Sequence, residues 1–356
     1  MRILPNLIVL LFIFAGSGAL AAQEGAIKRE LHWVVTGEKF ELALERLHAP
    51  EKARHPRPVV LSHGFFLNSL FLNLSEDHNH SLAGYLAEAG FDVWNLSFRG
   101  SGRSLNPLRD GPKSWNLDDM IDKDIPAVVG YIQKAAARPK VDWIGYEMGG
   151  LLLYGFLEKK GAASIGAGVT IAAPVTFNDP EQEPMKKLVA LEERPALKRF
   201  FLYLNGPVLG RLLISMVPKI GGLFYNRDNI EDETLQKLLG EGLTEINPGV
   251  LDQLLLMIRR GEFVASRGNF SYRRHLASIR APLLLVGGES DALAPPGAIR
   301  AVYREIGSKE RTLRIFGPRS KDSAAYGHLD LILGKRSAQE VFPVIERWLS
   351  RRDRQE

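Results

Sequence analysis

A glutamate, Glu147, stands at the centre of a G-Y-E-M-G segment between a predicted strand at residues 141–145 and a predicted helix at 149–159. In the pattern G-x-S-x-G, a sharp strand-to-helix turn exposes one nucleophilic side chain above the carboxyl edge of a sheet. The glycines are needed because the turn leaves no space for neighbouring side chains. The segment matches this pattern except at the reacting residue, where a carboxylate replaces the serine hydroxyl.

A candidate acid and a candidate base follow Glu147 along the chain. Asp291 comes just after a predicted strand at residues 283–287, and His328 follows another at 312–316. A carboxylate bound to an imidazole keeps the ring in the tautomer that accepts a proton, and it stabilises the imidazolium. Singly, Asp291 would be interpreted as a turn cap and His328 as a loop histidine. Their order and their places at strand ends favour a catalytic pair.

The loop after the predicted strand at residues 58–62 reads His63-Gly64-Phe65. In the same arrangement this loop supplies one backbone N–H of an oxyanion hole, and the residue after the nucleophile supplies the other. We therefore predict Phe65 and Met148 as the two donors. A plain turn at the end of a strand is the alternative for this loop.

The elements that must position these residues alternate between strand and helix. Two short strands at 31–35 and 40–44 predict an opening hairpin, and the later segments predict βαβ units. Such alternation indicates an α/β fold with a mostly parallel central sheet and helices on both faces. The further predicted strands cover residues 58–62, 91–96, 141–145, 168–172, 283–287 and 312–316, and the predicted helices cover 81–89, 117–137, 149–159, 297–305 and 338–351.

The alternation stops between residues 174 and 279, where prolines and glycines separate helical pieces rich in Leu, Met, Phe and Tyr. We interpret this stretch as a helical lid inserted between two strands of the core. The predicted organisation is a signal peptide at 1–21, a first core part at 22–173, the lid at 174–279 and a second core part at 280–356.

The first residues predict export. Arg2 precedes a short apolar run at residues 7–15, and Ala19 and Ala21 form an A-x-A cleavage site. This pattern is typical of a secretory signal peptide, with an uncleaved N-terminal anchor as the alternative. The mature protein would be periplasmic or secreted. Because the chain has no cysteine, its core must hold it together without disulfides.

The distribution of charge along the chain argues against a nucleic-acid partner. The net charge of +5 is spread along the chain, and no basic stripe with interleaved aromatic residues occurs, so we predict no nucleic-acid partner. A weak peripheral contact with anionic lipid surfaces is compatible with this charge.

Asp77, His78 and His80 are more typical of a polar turn than of a metal site, so we predict no metal. We expect Glu289 and Asp330 to be solvated or capping. The oligomeric state is not indicated.

Four stretches together resemble the acid lipase family, the gastric and lysosomal lipases of the α/β-hydrolase superfamily. The resemblance runs from about residue 31 to the C-terminus and is loose in the insertion. It implies an α/β-hydrolase fold, neutral-lipid or ester substrates, a mobile lid and no cofactor. It assigns Asp291 and His328 as acid and base, and Phe65 and Met148 as oxyanion donors, but it provides no serine at position 147. The stretches are L-S-H-G-F-F at 61–66; S-L-A at 81–83 with A-G-F-D-V-W at 89–94 and R-G at 99–100; D-D-M at 118–120 with D-I-P-A at 124–127; and G-H-L-D at 327–330.

Glu147 has three possible roles. As a nucleophile it would attack an sp³ carbon, opening an epoxide or displacing a halide, and His328 would activate the water that cleaves the resulting ester. Relatives with this fold use the shorter aspartate for this step, and they place a proline after H-G-x that this chain lacks. Tyrosines of the insertion, Tyr203, Tyr225 and Tyr272, could assist. As a general base, Glu147 would drive water at an ester or lactone.

The third role is non-catalytic: Glu147 and His328 would form an ion pair at a helix N-terminus, beneath a pocket that binds a lipid or apolar ligand. Serine-type acyl-enzyme chemistry is not expected, because a carboxylate attacking an ester carbonyl would give a reactive anhydride. Since the rest of the machinery is present, we expect a hydrolase acting on an apolar, lipid-like ester or related substrate. The ligand-binding protein is the alternative.

Overall fold

The computed structural model of the protein describes residues 26–53, 55–76, 78–104, 114–190, 208 and 222–353. The predicted signal peptide, Asp77 and Tyr203 lie outside these residues. Within the described ranges, no helix combines the length and the apolar character needed to cross a bilayer.

One eight-stranded sheet forms the centre of the molecule, with the strand order β1-β2-β4-β3-β5-β6-β7-β8. β2 is antiparallel to both of its neighbours, and all other neighbouring strands pair in parallel. The predicted α/β fold with a mostly parallel sheet is therefore confirmed. The strands are β1 (Lys28–Val35), β2 (Glu41–His48), β3 (Val59–Ser62), β4 (Val93–Leu96), β5 (Val141–Tyr146), β6 (Ile165–Ile171), β7 (Leu283–Gly288) and β8 (Arg311–Phe316).

Helices follow the strands much as predicted, except that prolines divide two of them. The predicted helix at 117–137 contains a π-helical stretch, Met120–Asp124, directly before Pro126, which has no N–H to donate to the preceding turn. The predicted helix at 338–351 divides before Pro343. The helices are α1 (Leu82–Glu88), α2 (Leu117–Asp119), α3 (Ile125–Ala135), α4 (Met148–Lys160), α5 (Glu183–Ala190), α6 (Asp232–Lys237), α7 (Pro248–Arg260), α8 (Pro296–Glu305), α9 (Asp330–Leu333), α10 (Ser337–Glu340) and α11 (Phe342–Asp353).

The central strands and α4 make up a rigid base for the site. Every residue of β3, β4 and β5 is buried, as expected for parallel strands covered on both faces. In α4, all residues from Met148 to Leu157 are buried. A helix that is apolar around its whole circumference must be covered on every side. Glu147, directly before α4, is therefore attached to a helix that is covered by the packed core on all sides.

Between β6 and β7 the described residues form α5, α6 and α7 with short 3₁₀ and π-helical turns and isolated bridges. One bridge pairs Leu67, in the loop after β3, with Leu243. Asn68 strengthens this junction, because its backbone N–H donates to the Gly242 carbonyl over 3.0 Å and its side-chain amide donates to the Glu241 carbonyl over 2.8 Å. The segment between β6 and β7 is therefore anchored to the loop that contains Phe65.

Candidate active site

The turn between β5 and α4 holds Glu147 in a strained backbone conformation, with φ 49° and ψ −110°. Residues other than glycine seldom adopt positive φ, and such backbone strain is concentrated at functional sites. A Cβ on Gly145 would lie 2.4 Å from the backbone carbonyl of Gly149, and one on Gly149 would lie 2.5 Å from the Ser62 carbonyl oxygen. Both glycines are therefore required, and the turn has the sharp geometry that the sequence pattern predicts.

The carboxylate of Glu147 contacts the two residues predicted as oxyanion donors. The backbone N–H of Phe65 donates to Oε2 over 2.5 Å, and the backbone N–H of Met148 also interacts with the carboxylate. Residue 64 must be glycine for this approach, because a Cβ on Gly64 would lie 2.9 Å from Oε2. One oxygen of the glutamate thus takes the place that a developing oxyanion occupies when serine is the nucleophile.

Asp291 and His328 form a buried pair at the ends of β7 and β8. His328 Nδ1 lies 2.8 Å from Asp291 Oδ2, and Asp291 Oδ1 accepts the backbone N–H groups of Leu293 and Ala294 over 2.9 and 2.8 Å. A carboxylate fixed in this way holds the proton on Nδ1 and leaves Nε2 as the basic nitrogen.

The charges of Glu147 and His328 act on each other. Burial raises the pKa of the Glu147 carboxyl; His328 and the N–H of Phe65 oppose that rise, and the charge of Asp291 adds to it. Burial alone would lower the pKa of His328, but Asp291, Glu147 and Asp330 reverse this and raise it. Each of the two groups thus affects the pKa of the other, which places Glu147, in the turn after β5, near His328, in the loop after β8.

His63 fixes the loop that carries the Phe65 N–H. The Phe98 backbone N–H donates to Nε2 over 3.2 Å, so the proton lies on Nδ1, which donates to the Gly64 carbonyl over 2.9 Å. Burial lowers the pKa of His63 to about 4, so the ring is neutral at physiological pH. His63 thereby has a structural part in the site.

Tyr146, which the sequence pattern leaves as an unspecified position of the turn, contacts both catalytic loops. Its hydroxyl donates to the His328 carbonyl over 3.1 Å, and the two ring centroids are 5.2 Å apart. On its other side, the ring borders Gly64, whose hypothetical Cβ would lie 3.0 Å from Cδ1. No local motif could reveal this role, because the partners are distant in sequence.

The remaining polar residues have the contacts of caps. Asp330, expected to be solvated or capping, is completely buried, and its carboxylate accepts backbone N–H groups as a cap does. Glu289 is partly exposed and accepts the backbone N–H of Arg319 over 3.0 Å. Among the described residues, no three potential ligands meet at a metal site, and His80 lies 3.8 Å from Glu231.

Of the tyrosines considered as assisting groups, Tyr272 is buried and donates its hydroxyl to Asp118 over 2.8 Å. This bond makes Tyr272 part of the junction between the core and the insertion. Tyr225 is partly buried and lies near Asp330, next to the loop of His328.

A small pocket with a cavity volume of about 40 Å³ opens beside Phe65 and Met148, between the core and residues 244–250 of the insertion. Two polar side chains in its wall are already bonded within the protein: Ser101 donates to the Phe98 carbonyl over 2.7 Å, and Thr244 donates to the Gly100 carbonyl over 3.2 Å. The described wall thus offers a ligand mainly apolar contacts. These come from Phe65, Phe66, Leu67, Phe98, Trp115, Met120, Met148, Ile246 and Val250.

Comparison with known proteins identifies the family of the chain. The family model described as alpha/beta hydrolase fold matches residues 57–320. A protein named probable lipase from Schizosaccharomyces pombe is 27% identical over 346 residues, covering 89% of this chain and 76% of its own. The gastric triacylglycerol lipase of Rattus norvegicus is 24% identical over 350 residues, covering 87% and 85%.

Solved structures give the same fold. A monoacylglycerol lipase from Paleococcus ferrophilus superimposes with a TM-score of 0.57 at 18% identity, over 88% of this chain and 99% of its own. A naproxen esterase from Bacillus subtilis gives 0.58 at 15% identity, over 90% and 92%. The chain belongs to the α/β hydrolase fold family and resembles the acid lipases within it. These relatives support a hydrolase.

Proposed function

We propose that the protein is a hydrolase in which the carboxylate of Glu147 attacks an electrophilic sp³ carbon of an apolar substrate. The observation that carries this proposal is the hydrogen bond from the Phe65 N–H to Glu147 Oε2. With Oε2 bound to the Phe65 N–H, the other oxygen is the one we assign as the nucleophile. Epoxides and alkyl esters with an activated alkyl carbon are the substrate classes that this geometry favours.

The reaction then has two steps. In the first, the free carboxylate oxygen forms a C–O bond to the substrate carbon, and the bond to the leaving oxygen breaks with its electron pair. An epoxide oxygen released in this way takes a proton from solvent water, whereas a leaving carboxylate needs none. In the second, His328 Nε2 takes a proton from water, which attacks the ester carbon of Glu147. The negative charge develops on Oε2, where the N–H groups of Phe65 and Met148 stabilise it. The alcohol leaves with the proton from His328, and the carboxylic acid of Glu147 releases its remaining proton to solvent, which restores the carboxylate.

The general-base alternative fits less well. A water molecule attacking a substrate ester needs a free oxyanion hole for the substrate carbonyl oxygen. Glu147 Oε2 already accepts the Phe65 N–H. The same carboxylate would have to leave these donors before it could serve as the base. A nucleophilic role requires no such rearrangement, since the donors serve the enzyme's own ester.

The pocket beside Phe65 and Met148 supports an apolar substrate, because its wall is largely apolar. We also propose that residues 174–279 form a lid over this pocket. Export through the predicted signal peptide, to the periplasm or the exterior, belongs to the same proposal, as does a peripheral lipid contact.

The experiment compares the purified protein with Glu147→Gln and Glu147→Ser on matched epoxide, alkyl ester and aryl ester panels. We expect wild-type turnover of an epoxide or alkyl ester that Glu147→Gln abolishes. Glu147→Ser should lose that activity and gain cleavage of activated aryl esters, because its hydroxyl meets an assembled His328–Asp291 pair and vacant oxyanion donors. No turnover by wild type on any panel, together with a co-purified apolar ligand, would favour the binding protein over the proposed enzyme.

A further inference from the structure

Residues 224–229, where the insertion returns to the core, lie along the loop at residues 325–330 that carries His328. We name them the return segment. The Leu329 backbone N–H donates to the Phe224 carbonyl over 2.8 Å, and the Asn226 side-chain amide donates to the Ala325 carbonyl over 2.8 Å. These bonds attach the return segment to the loop on both sides of His328.

Asp330 is the centre of this junction. Its carboxylate accepts the backbone N–H of Gly327 over 2.8 Å, the backbone N–H of Asn226 over 3.1 and 3.3 Å, and the side-chain amide of Asn229 over 3.3 Å. One buried side chain therefore binds its own loop and the return segment at once. If the carboxylate were lost, donors on both segments would be left buried without their acceptor, which destabilises the junction.

The buried position of Asp330 disfavours the charged form of its carboxyl group. Burial raises the pKa of Asp330 to about 6 although several N–H groups stabilise the charged form. At neutral pH it is ionised in a buried environment, facing the titratable groups His328, Tyr225 and Tyr146. A buried charge next to a candidate catalytic histidine is typical of a functional role.

We propose that Asp330 is a positioning residue that couples the insertion to His328, by binding the return segment and the histidine loop with a single carboxylate. Through this junction, displacement of the insertion shifts the imidazole relative to Glu147. The catalytic consequence rests on the proposed function, because it requires His328 to act as the base. The coupling itself can be measured without turnover.

The first test is Asp330→Asn, which keeps the shape of the side chain but removes its charge and one strong acceptor. Hydrogen exchange followed by mass spectrometry should show the peptides covering 224–229 and 325–330 exchanging about tenfold faster, with the central strands unchanged. In an NMR titration of the histidine rings, the pKa of His328 should fall, because the negative charge that helps to raise it is gone.

The second test, Gly327→Ala, retains the charge and separates the two segments. The added Cβ would lie 2.9 Å from the Asn226 backbone nitrogen and 3.1 Å from Asp330 Oδ1. We expect faster exchange in the same two peptides. Gly130→Ala is the matched control, because a Cβ on Gly130 meets nothing within 4 Å, and its exchange should equal that of wild type.

The outcomes separate the coupling from the proposed function. Unchanged exchange and an unchanged His328 titration in Asp330→Asn overturn the coupling, and so does acceleration spread evenly over the whole core. If Asp330→Asn does not fold, Gly327→Ala decides, and wild-type exchange in that variant overturns the coupling. Failure of Glu147-dependent turnover in the panels above leaves these measurements valid, so each proposal stands or falls by its own data.

Discussion

At the scale of single residues, the site differs from a serine hydrolase in where the negative charge lies before any substrate binds. Glu147 places a carboxylate oxygen on the Phe65 N–H, and its charge helps to raise the pKa of His328. In a serine enzyme, the same donors meet a charge only as the reaction proceeds. The donors and the histidine are therefore arranged for the second half of a two-step reaction, in which an ester of the protein itself is hydrolysed.

His328→Gln tests that order of events. Without a base to activate water, the first step should proceed and the second should slow by a factor on the order of 10³ or more. Intact-mass spectrometry after mixing with an epoxide substrate should show a covalent adduct with the full mass of the substrate, and peptide mapping should place it on Glu147. Glu147→Gln is the control, because it should remain unmodified. An unmodified His328→Gln protein with a substrate that wild type converts would contradict the two-step reaction.

At the scale of secondary structure elements, the position of Glu147 depends on how closely β3 and α4 approach. A Cβ on Gly149 would lie 2.5 Å from the Ser62 carbonyl oxygen and 2.6 Å from its hydroxyl, so an added methyl group must push helix and strand apart. We expect Gly149→Ala to destabilise the protein by about 1–3 kcal/mol, as overpacking does, and to lower turnover. Urea unfolding measures the first effect and steady-state kinetics the second.

Gly130→Ala serves as the control for this prediction too, because the added methyl group has open space and alanine favours a helix. It should be as stable as wild type or slightly more stable. If Gly149→Ala unfolded at the same urea concentration as wild type, the tight approach of β3 and α4 would not be what positions Glu147.

The junction between α7 and the core determines the size of the pocket. Val250 lies in the first turn of α7 and lines the pocket opposite Met148 and Phe65. Val250→Trp should fill much of the space, so that KM for long-chain substrates rises about tenfold or more while short-chain substrates are affected less. Kinetics over an alkyl series measures this effect. Val250→Leu should cause a much smaller shift, and equal KM values across the series in Val250→Trp would contradict the assigned pocket.

Sequence patterns predicted the sheet and the elbow because their signals are local. A strand, a glycine-flanked turn and a buried helix occupy consecutive residues, and Asp291 and His328 follow at strand ends. The contact between Glu147 and the Phe65 N–H joins residues 82 positions apart. Neither the secondary-structure propensity of residues nor the periodicity of hydrophobic residues predicts a contact over such a sequence separation. The burial of Asp330 was missed for the same reason, because it depends on the return segment of the insertion rather than on its own neighbours.

At the scale of the whole molecule, the pH dependence of stability reflects carboxyl groups that the fold keeps buried. Both carboxyl oxygens of Glu158, on α4, are buried without a hydrogen bond among the described residues. Burial raises the pKa of Glu158 to about 9, against the opposing charge of Lys159. Between its ordinary value of 4.5 and this raised value, the folded protein keeps a proton that the unfolded chain releases. Stability contributed by this group is therefore lost as the pH rises.

Other strongly shifted groups act in a different pH range. The pKa values of Asp124 and Asp330 are raised to about 6, and that of His63 is lowered from 6.5 to about 4. Below about pH 6.5, the two aspartates make stability fall as the pH rises, whereas His63 makes it rise. Above that pH, none of the three contributes a further change. From there to about pH 9, Glu158 is the main group among them whose proton binding differs between the folded and unfolded states.

Glu158→Gln should therefore remove the contribution of Glu158 to the pH dependence of stability between pH 6.5 and 9. In wild type, Glu158 alone should make the free energy of unfolding fall by up to about 1.4 kcal/mol per pH unit across this range, because its one proton separates the two states. In Glu158→Gln the slope should be clearly shallower, with the raised pKa of His328 contributing what remains, and the variant should be the more stable protein at pH 8.5. Urea unfolding at several pH values measures both slopes. Glu183→Gln, an exposed glutamate exchanged in the same way, should keep the wild-type slope. Parallel slopes for wild type and Glu158→Gln would mean that the buried carboxyl of α4 does not hold its proton in the folded protein.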